Sequence, residues 1–171
     1  MKCMNKNVKG FTLVELVVVI AIVGVLAGIL IPSMMGYVKK AKFSASNSTA
    51  KTVLNAGMLA CRETDVIKPI PNGVYTDVAM QLSTTAPADG SDGPFLDPTI
   101  NGYMYKYAEN LTGKAWAIRI DADVVIAACV ASSPTDGCVG TYPTPNYEKH
   151  TLSSFNDVKS ALSVATGGSW S

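Results

Sequence analysis

The sequence is poor in charge, and its charged residues are unevenly distributed. Only 16% of its 171 residues are Asp, Glu, Lys or Arg, whereas 48% are hydrophobic. From Leu16 to Val38, over 23 consecutive positions, no residue carries a formal charge. At about 1.5 Å per residue this run would form roughly 34 Å of helix, enough to cross a hydrocarbon core of about 30 Å. The run therefore predicts a helix that lies in a membrane or at the centre of a helical bundle.

Sequence signals of catalysis and of nucleic-acid binding are also missing. The chain holds a single histidine, His150, and no Cys-x-x-Cys pair, so the usual ligand set of a zinc site is incomplete. It has no phosphate-binding loop, no dinucleotide-binding glycine pattern and no nucleophile elbow. The net charge of +1, without a basic stripe, argues against a nucleic-acid partner. We therefore expect neither an enzyme nor a bound cofactor.

The start of the chain is basic. Residues 1–10 contain three lysines and no acid. This composition is typical of a signal peptide, but the apolar run that follows is about twice as long as the usual 7–15 residues. Because Lys39, Lys40 and Lys42 follow the run, the positive-inside rule leaves its orientation nearly undecided.

Glu15 lies at the start of the apolar run, with no basic residue close enough in sequence to pair with it. A carboxylate among apolar side chains is costly unless a partner satisfies it. Cleavage between Gly10 and Phe11 would create a free amine four residues before Glu15, on the same helix face. The carboxylate could then neutralise that amine or the amine of a neighbouring copy. The alternative is that Glu15 only caps the helix dipole, which leaves Gly10 unexplained.

A known family combines these features. The stretch Gly10-Phe11-Thr12-Leu13-Val14-Glu15, after a short basic leader and before the apolar helix, resembles the class III signal of type IV prepilins and pseudopilins. The resemblance covers roughly residues 6–40, about a fifth of the chain. It implies cleavage after Gly10 by a prepilin peptidase, methylation of the new amine on Phe11, and use of Glu15 in subunit assembly.

The resemblance also implies a place and partners for the chain. Pro32 matches the family as well, and we expect it to act in assembly. Cleavage on the cytoplasmic side places the leader inside and the residues after Val38 outside. The precursor would be a single-pass membrane protein in contact with lipid, and its product a subunit of an extracellular pilus or a periplasmic pseudopilus. The implied partners are copies of itself, other pilins, the prepilin peptidase and N-methyltransferase, and an inner-membrane assembly platform.

Two other functions stay open beside the pilus subunit: a pseudopilin of a type II secretion system and a signal-anchored extracytoplasmic binding protein. The predicted fold class is α+β, pilin-like, with a long N-terminal helix packed on a small antiparallel sheet. The predicted parts are a leader at 1–10, a transmembrane and filament-core helix at 11–38, its amphipathic second half at 39–66, and a globular head at 67–171. Ala50, Val53, Leu54, Gly57, Met58 and Cys61 form the apolar stripe of the second half.

Residue patterns predict the elements of the head. Alternation predicts strands at Tyr103–Tyr107, Ala115–Ile120 and Val124–Val130, in an antiparallel meander with room for a fourth strand. A turn at 110–113 would join the first two. A short helix is expected within Val74–Leu82, starting near Thr76 or Asp77, and a closing helix is expected over Ser153–Ala165, capped by one of its first two serines.

Three further groups of residues are candidates for structural roles. Pro32, with Gly36, predicts a kink or a locally unwound stretch in the long helix. Outside the leader lie three cysteines, for which we weigh a Cys129–Cys138 disulfide, its rival Cys61–Cys129, or three free thiols. Asp89, Asp92 and Asp97 form a weak calcium candidate on a Gly-rich loop, although their spacing does not match an EF-hand.

Overall fold

The structure is a computed structural model that describes residues 10–66, 70, 72–76, 94–95 and 98–168. The chain divides into two units, Met1–Lys39 and Lys40–Ser171. Helix α1, Leu13–Asp65, begins in the first unit and ends in the second. The second unit adds α2 (Pro98–Tyr107), a short 3-10 helix (Glu109–Leu111) and α3 (Phe155–Ala165).

In the described part of the chain, five strands form one sheet in the order β2-β1-β3-β4-β5. They are β1 (Gly73–Thr76), β2 (Pro94–Phe95), β3 (Ala115–Asp121), β4 (Val124–Ala131) and β5 (Gly140–Tyr142). The pairs β1–β3, β3–β4 and β4–β5 are antiparallel, and β2 pairs parallel with β1 at the edge. The predicted α+β class, a long helix packed on a small antiparallel sheet, is confirmed.

Both faces of this sheet are buried. On one face, Trp116, Ile118 and Ile120 of β3 pack with the apolar stripe of α1 and with α2. On the other face, alanines of β3 and β4 pack with α3. Because β4, Val124–Ala131, is apolar at almost every position, it has no polar face to turn to water. The prediction that the sheet covers the stripe of α1 is correct, and the second buried face is an addition to it.

The small side chains on the second face allow α3 to lie close to the sheet. Its inward residues are Val158, Ala161, Leu162 and Ala165, all with no exposed surface. The helix starts at Ser154, whose side chain accepts from the Asp157 amide while the Asp157 carboxylate accepts from the Ser154 amide. This reciprocal pair is a capping box and confirms the predicted cap.

One predicted strand is wrong, and the reason is the period of burial. Tyr103–Tyr107 belongs to helix α2, because Ile100, Met104 and Ala108 are buried at a spacing of four while the tyrosines are half exposed. Tyr residues at alternate positions satisfy the pattern of a strand. Pro98, at the first position of α2, is the sequence signal of a helix start. A short helix is expected within Val74–Leu82, starting near Thr76 or Asp77. Residues 74–76 lie in β1 and residues 77–82 lie outside the described residues, so a helix that starts at Asp77 stays a prediction.

Two turns also decide the connections of the sheet. The turn at 110–113 is part of a 3-10 helix followed by Gly113, with φ of 78°, and leads from α2 into β3 rather than joining two strands. After Asp121, Ala122 and Asp123 join β3 to β4 with φ of 47° and 64°. Positive φ at both central residues is the geometry of a two-residue hairpin turn.

Strand β5 reaches the backbone of α1 so closely that one position must be glycine. A Cβ built on Gly140 would lie 2.0 Å from the Ser46 carbonyl carbon and 2.5 Å from the Asn47 amide nitrogen. Both obstacles are backbone atoms of a helix, which cannot rotate away as a side chain could. The close approach covers the outer edge of a strand that would otherwise expose unpaired backbone groups.

Substitution Gly140→Ala should therefore destabilise the protein by at least about 3 kcal/mol, because the added methyl can be relieved only by separating β5 from α1. Chemical denaturation of the full chain in detergent measures this change in the free energy of unfolding. Gly102→Ala is the matched control, since a Cβ on Gly102 in α2 meets nothing within 4 Å. It should be neutral or stabilise by up to about 1 kcal/mol. Equal stability of the two variants would contradict the close approach.

Candidate functional site

The junction of Gly10 and Phe11 lies before the first turn of α1. Both residues are exposed and non-helical, and Phe11 keeps 87% of its surface accessible. A Cβ on Gly10 would meet no atom within 4 Å, and Gly10 does not have the positive φ that favours glycine. Neither contacts nor backbone geometry in the described chain therefore require a glycine here.

The first turn of α1 is closed by Thr12 and Glu15. The Thr12 amide and the Thr12 hydroxyl each donate to Glu15 Oε2, at 2.9 Å. The Glu15 amide in turn lies 3.2 Å from Thr12 Oγ1, to which it donates. This is a capping box, with Thr12 as the N-cap and Glu15 three residues later. The carboxylate thus has partners in the chain before any cleavage.

Sequence reasoning missed Thr12 in this role. The signal was present, because Ser or Thr followed three residues later by Glu or Gln before an apolar run is the mark of a capping box. The structure also separates the two carboxylate oxygens of Glu15. Oε2 accepts both bonds from Thr12, and within residues 10–66 no hydrogen bond to Oε1 is present. The carboxylate can therefore keep its cap and still accept from a second, external donor.

The apolar half of α1 is exposed along its length. Its most apolar 18-residue window has a mean hydropathy of 3.0 and no buried residue. The helix is long and apolar enough to cross a membrane. Leu13, Ile20, Ile29 and Met35 each leave between 61% and 79% of their surface exposed. Side chains of this kind on every face need lipid or other helices around them.

Pro32 lies inside α1 without ending it. The helix is continuous from Leu13 to Asp65, so the expected unwound stretch is absent from this part of the chain. Proline has no amide hydrogen, and the Gly28 carbonyl therefore lacks its usual helical donor. One turn of the helix near this point is supported by Ser33, whose hydroxyl donates to the Leu30 carbonyl at 2.8 Å. The local weak point that the sequence predicts is thus retained within a continuous helix.

The three cysteines are free thiols in the structure. Cys61 belongs to the core under α1 and Cys129 to the core under α3, on opposite faces of the sheet. The fold therefore does not bring these two together, and the Cys129–Cys138 pairing stays a prediction. Burial raises the pKa of the Cys61 and Cys129 thiols to about 12, which disfavours the reactive thiolate.

The weak calcium candidate cannot be placed, because Asp89, Asp92 and Asp97 lie outside the described residues. Among the residues that are described, no group of three or more metal-ligating side chains occurs. The candidate functional residues with a described position are therefore those of the N-terminal segment, Gly10, Phe11, Glu15 and Pro32, together with Thr12.

Comparison with known proteins points to the same segment. Residues 5–31 match the family described as the prokaryotic N-terminal methylation motif. A fimbrial protein of Pseudomonas aeruginosa is 33% identical over 99 residues, which cover 56% of this chain and 62% of the relative. The type IV major alpha-pilin of Moraxella bovis is 42% identical over 53 residues, or 29% of this chain and 33% of the relative.

The sequence identity to these relatives is highest over short stretches. The major component of the type IV wide pilus of Thermus thermophilus is 53% identical over 36 residues, 21% of this chain and 28% of the relative. The chain thus spans at most about three fifths of the length of these relatives. No solved structure matches the chain significantly. The resemblance to type IV pilins in the N-terminal segment is confirmed.

The capping role of Thr12 is testable by amide exchange. Thr12→Val removes the hydroxyl but keeps the side-chain shape, and it should cost the helix start about 1 kcal/mol. The Glu15 amide should then exchange roughly fivefold faster in detergent micelles, measured by NMR. Thr12→Ser keeps the hydroxyl, so its Glu15 amide should exchange at the same rate as in the unmodified chain. An unchanged rate in Thr12→Val would show that the hydroxyl does not hold this turn.

Proposed function

Because this chain carries the N-terminal methylation motif and resembles type IV pilins, we propose that it is a structural subunit of a type IV pilus-like filament. In this proposal the precursor is inserted in the membrane, is cleaved after Gly10, is methylated on Phe11 and polymerises through α1. The observation that carries it is the Thr12–Glu15 box: one carboxylate, held at the first turn of an exposed and otherwise uncharged apolar helix, directly after a Gly–Phe junction.

The geometry around the junction supports cleavage. A peptidase requires an accessible backbone that is not locked in a helix, and residues 10–12 precede α1. No contact among the described residues requires a glycine at position 10, which supports the view that an enzyme selects it. Cleavage there converts the Phe11 amide nitrogen into an amine and leaves the Thr12 amide unchanged. The capping box therefore survives the cut.

The new amine gives the carboxylate its second donor. Glu15 Oε1 accepts no hydrogen bond within residues 10–66 and could accept one from the amine of a neighbouring copy. Methylation keeps the positive charge, so the attraction remains. In an environment of low dielectric an ion pair is strong only with good geometry, because both ions lose their water. The cap fixes one partner in advance and reduces the freedom lost on pairing.

Association of the apolar halves would supply the cohesion of the filament. Their exposed side chains suit lipid before assembly and neighbouring helices afterwards. A Cβ on Gly24 or Gly28 would meet nothing within 4 Å, so this small-xxx-small pair leaves room for a close helix. In this arrangement residues 11–38 form the filament core, residues 39–66 connect to the head, and residues 67–171 form the outer surface.

The proposal includes the partners and location that the family implies. The precursor would be a single-pass membrane protein, processed by a prepilin peptidase and N-methyltransferase and moved into the filament by an assembly platform in the inner membrane. The product would be an extracellular pilus. The three relatives compared above are named as fimbrial or pilus components, which supports a pilus rather than a secretion pseudopilus.

The decisive experiment is the mass and N-terminal sequence of the protein isolated from its own host. We expect a chain that starts at Phe11 with a methyl group on the amine. The matched variant Gly10→Val should retain residues 1–10 and form no filaments, while its head stays folded because a Cβ on Gly10 would meet no described atom within 4 Å. A mature protein that retains the leader would refute the proposal and favour a signal-anchored binding protein.

Glu15→Ala separates assembly from processing. Membrane insertion and cleavage should remain largely intact, because neither requires the carboxylate. Filament yield in sheared surface fractions should fall by roughly tenfold or more, since the amine of each neighbour loses its partner. Thr12→Ser, which keeps the box and the carboxylate, is the control and should assemble normally. Unchanged filament yield in Glu15→Ala would rule out the pairing.

A further inference from the structure

Two lysines of α1 have no acidic partner along the helix. Between Glu15 and Glu63 the sequence contains no Asp and no Glu. Lys40 and Lys42 lie just after the uncharged run, and the positions three and four residues away from each of them carry no acid. Ion pairs within a helix form at these spacings. The charges of these two lysines are therefore not neutralised by their own helix.

Both lysines are exposed and belong to the unit Lys40–Ser171. Among the residues that the structure describes, neither ammonium group has a hydrogen bond, an ion pair or a ring contact. The next residue, Phe43, is only 2% exposed, so the covered part of α1 begins one residue after Lys42. The two positive charges thus lie on a short exposed segment, between the apolar run and the covered part of the helix.

Helix length places this segment at the surface of a membrane. Residues 16–38 form roughly 34 Å of helix, whereas a hydrocarbon core is about 30 Å thick. Lys40 and Lys42 follow this run directly and therefore fall in the headgroup layer. Tyr37, with 75% of its surface exposed, is the first aromatic residue in α1. Tyrosine is enriched at membrane–water interfaces, so Tyr37 and the length of the run mark the same turn of the helix.

Phosphate oxygens are the partners that a headgroup layer offers to an ammonium group. Lysine carries a compact charge and three donors, which phosphate oxygens accept. A zwitterionic headgroup has an ammonium group of its own that competes with the lysine, whereas an anionic headgroup has none. Near an anionic membrane surface each lysine strengthens binding about fivefold, within a range of roughly 8–10 Å. Lys51 lies about 14 Å beyond Lys42 along the helix, outside this range.

We propose that Lys40 and Lys42 bind the phosphate groups of anionic phospholipids, in the leaflet that α1 reaches at Tyr37. The argument is charge complementarity: two exposed cations without a partner in the described chain stand where phosphate is the available counter-charge. This inference rests on the membrane insertion included in the proposed function, and on neither cleavage nor polymerisation. The bound lipids hold the membrane-stored chain at one depth, and transfer of a subunit into a filament requires their release.

Nuclear magnetic resonance of the full chain in lipid nanodiscs tests this binding. Phosphatidylglycerol replaces phosphatidylcholine of the same acyl chains in steps, and the amide of Ala41, between the two lysines, reports binding at this segment alone. We expect a saturable shift of that signal, weakened at least about fivefold by about 0.5 M NaCl. The pair Lys40→Gln and Lys42→Gln should lower the apparent affinity for phosphatidylglycerol by about tenfold or more.

Two further pairs of substitutions make the result specific. Lys51→Gln with Lys149→Gln removes the same charge from two other exposed lysines and should leave the affinity at Ala41 unchanged. Lys40→Arg with Lys42→Arg keeps both charges and should bind phosphatidylglycerol within about twofold of the unmodified chain. The salt dependence of the unmodified chain and the arginine pair keep the test valid if the glutamine pair does not fold.

Three results would overturn this inference. The first two are an Ala41 signal that does not respond to phosphatidylglycerol in the inserted chain, and an equal loss of affinity in both glutamine pairs; the pilus proposal survives either. The third is binding of a short DNA duplex at Lys40 and Lys42 without any response to phosphatidylglycerol, which would identify a nucleic-acid surface instead. A chain that alkaline carbonate washes from host membranes would contradict membrane insertion itself, and with it both proposals.

Discussion

A carboxylate that begins a long uncharged helix must have partners in whatever medium surrounds that helix. In this chain the first partner is Thr12, whose amide and hydroxyl both donate to Glu15 Oε2. The bonds are local, so they do not depend on lipid, on a neighbour or on cleavage. This explains how an acid can stand at the start of an apolar helix without a charged partner. Within residues 10–66 Oε1 accepts no hydrogen bond, which is the basis of the proposed pairing with a processed terminus.

Helix α1 has two sequence patterns with different requirements. From Leu13 to Val38 nearly every side chain is apolar and exposed, so this part gains stability only when other apolar groups surround it. From Ala50 to Cys61 apolar residues recur at three and four positions and lie buried against the head. At Gly57 an added Cβ would lie 3.1 Å from Ile118 Cδ1, which shows how near α1 comes to the sheet. The second half is therefore satisfied within one chain, and the first half is not.

Much of the head could be predicted where a pattern was long and its burial simple. Strands β3 and β4 and helix α3 follow directly from their periodicity and from the serine before α3. The segment Tyr103–Tyr107 was wrongly predicted as a strand, because three tyrosines at alternate positions satisfy a strand pattern locally. The residues that α2 buries are Ile100 and Met104, at helical spacing. Short segments carry both periods, and only contacts with distant residues decide between them.

The sequence by itself determined the N-terminal segment: the uncharged run, the Gly–Phe junction and the acid one turn later. These features are local, since the start of a helix depends on residues that are neighbours in the chain. Only the tertiary structure decided how the head closes. The Asn47 side chain donates to the Asn146 carbonyl, 99 positions later, and no spacing rule links two such asparagines or explains why Gly140 must be glycine. Contacts of that separation arise when the sheet folds against α1, so they appear in the fold and not in the pattern.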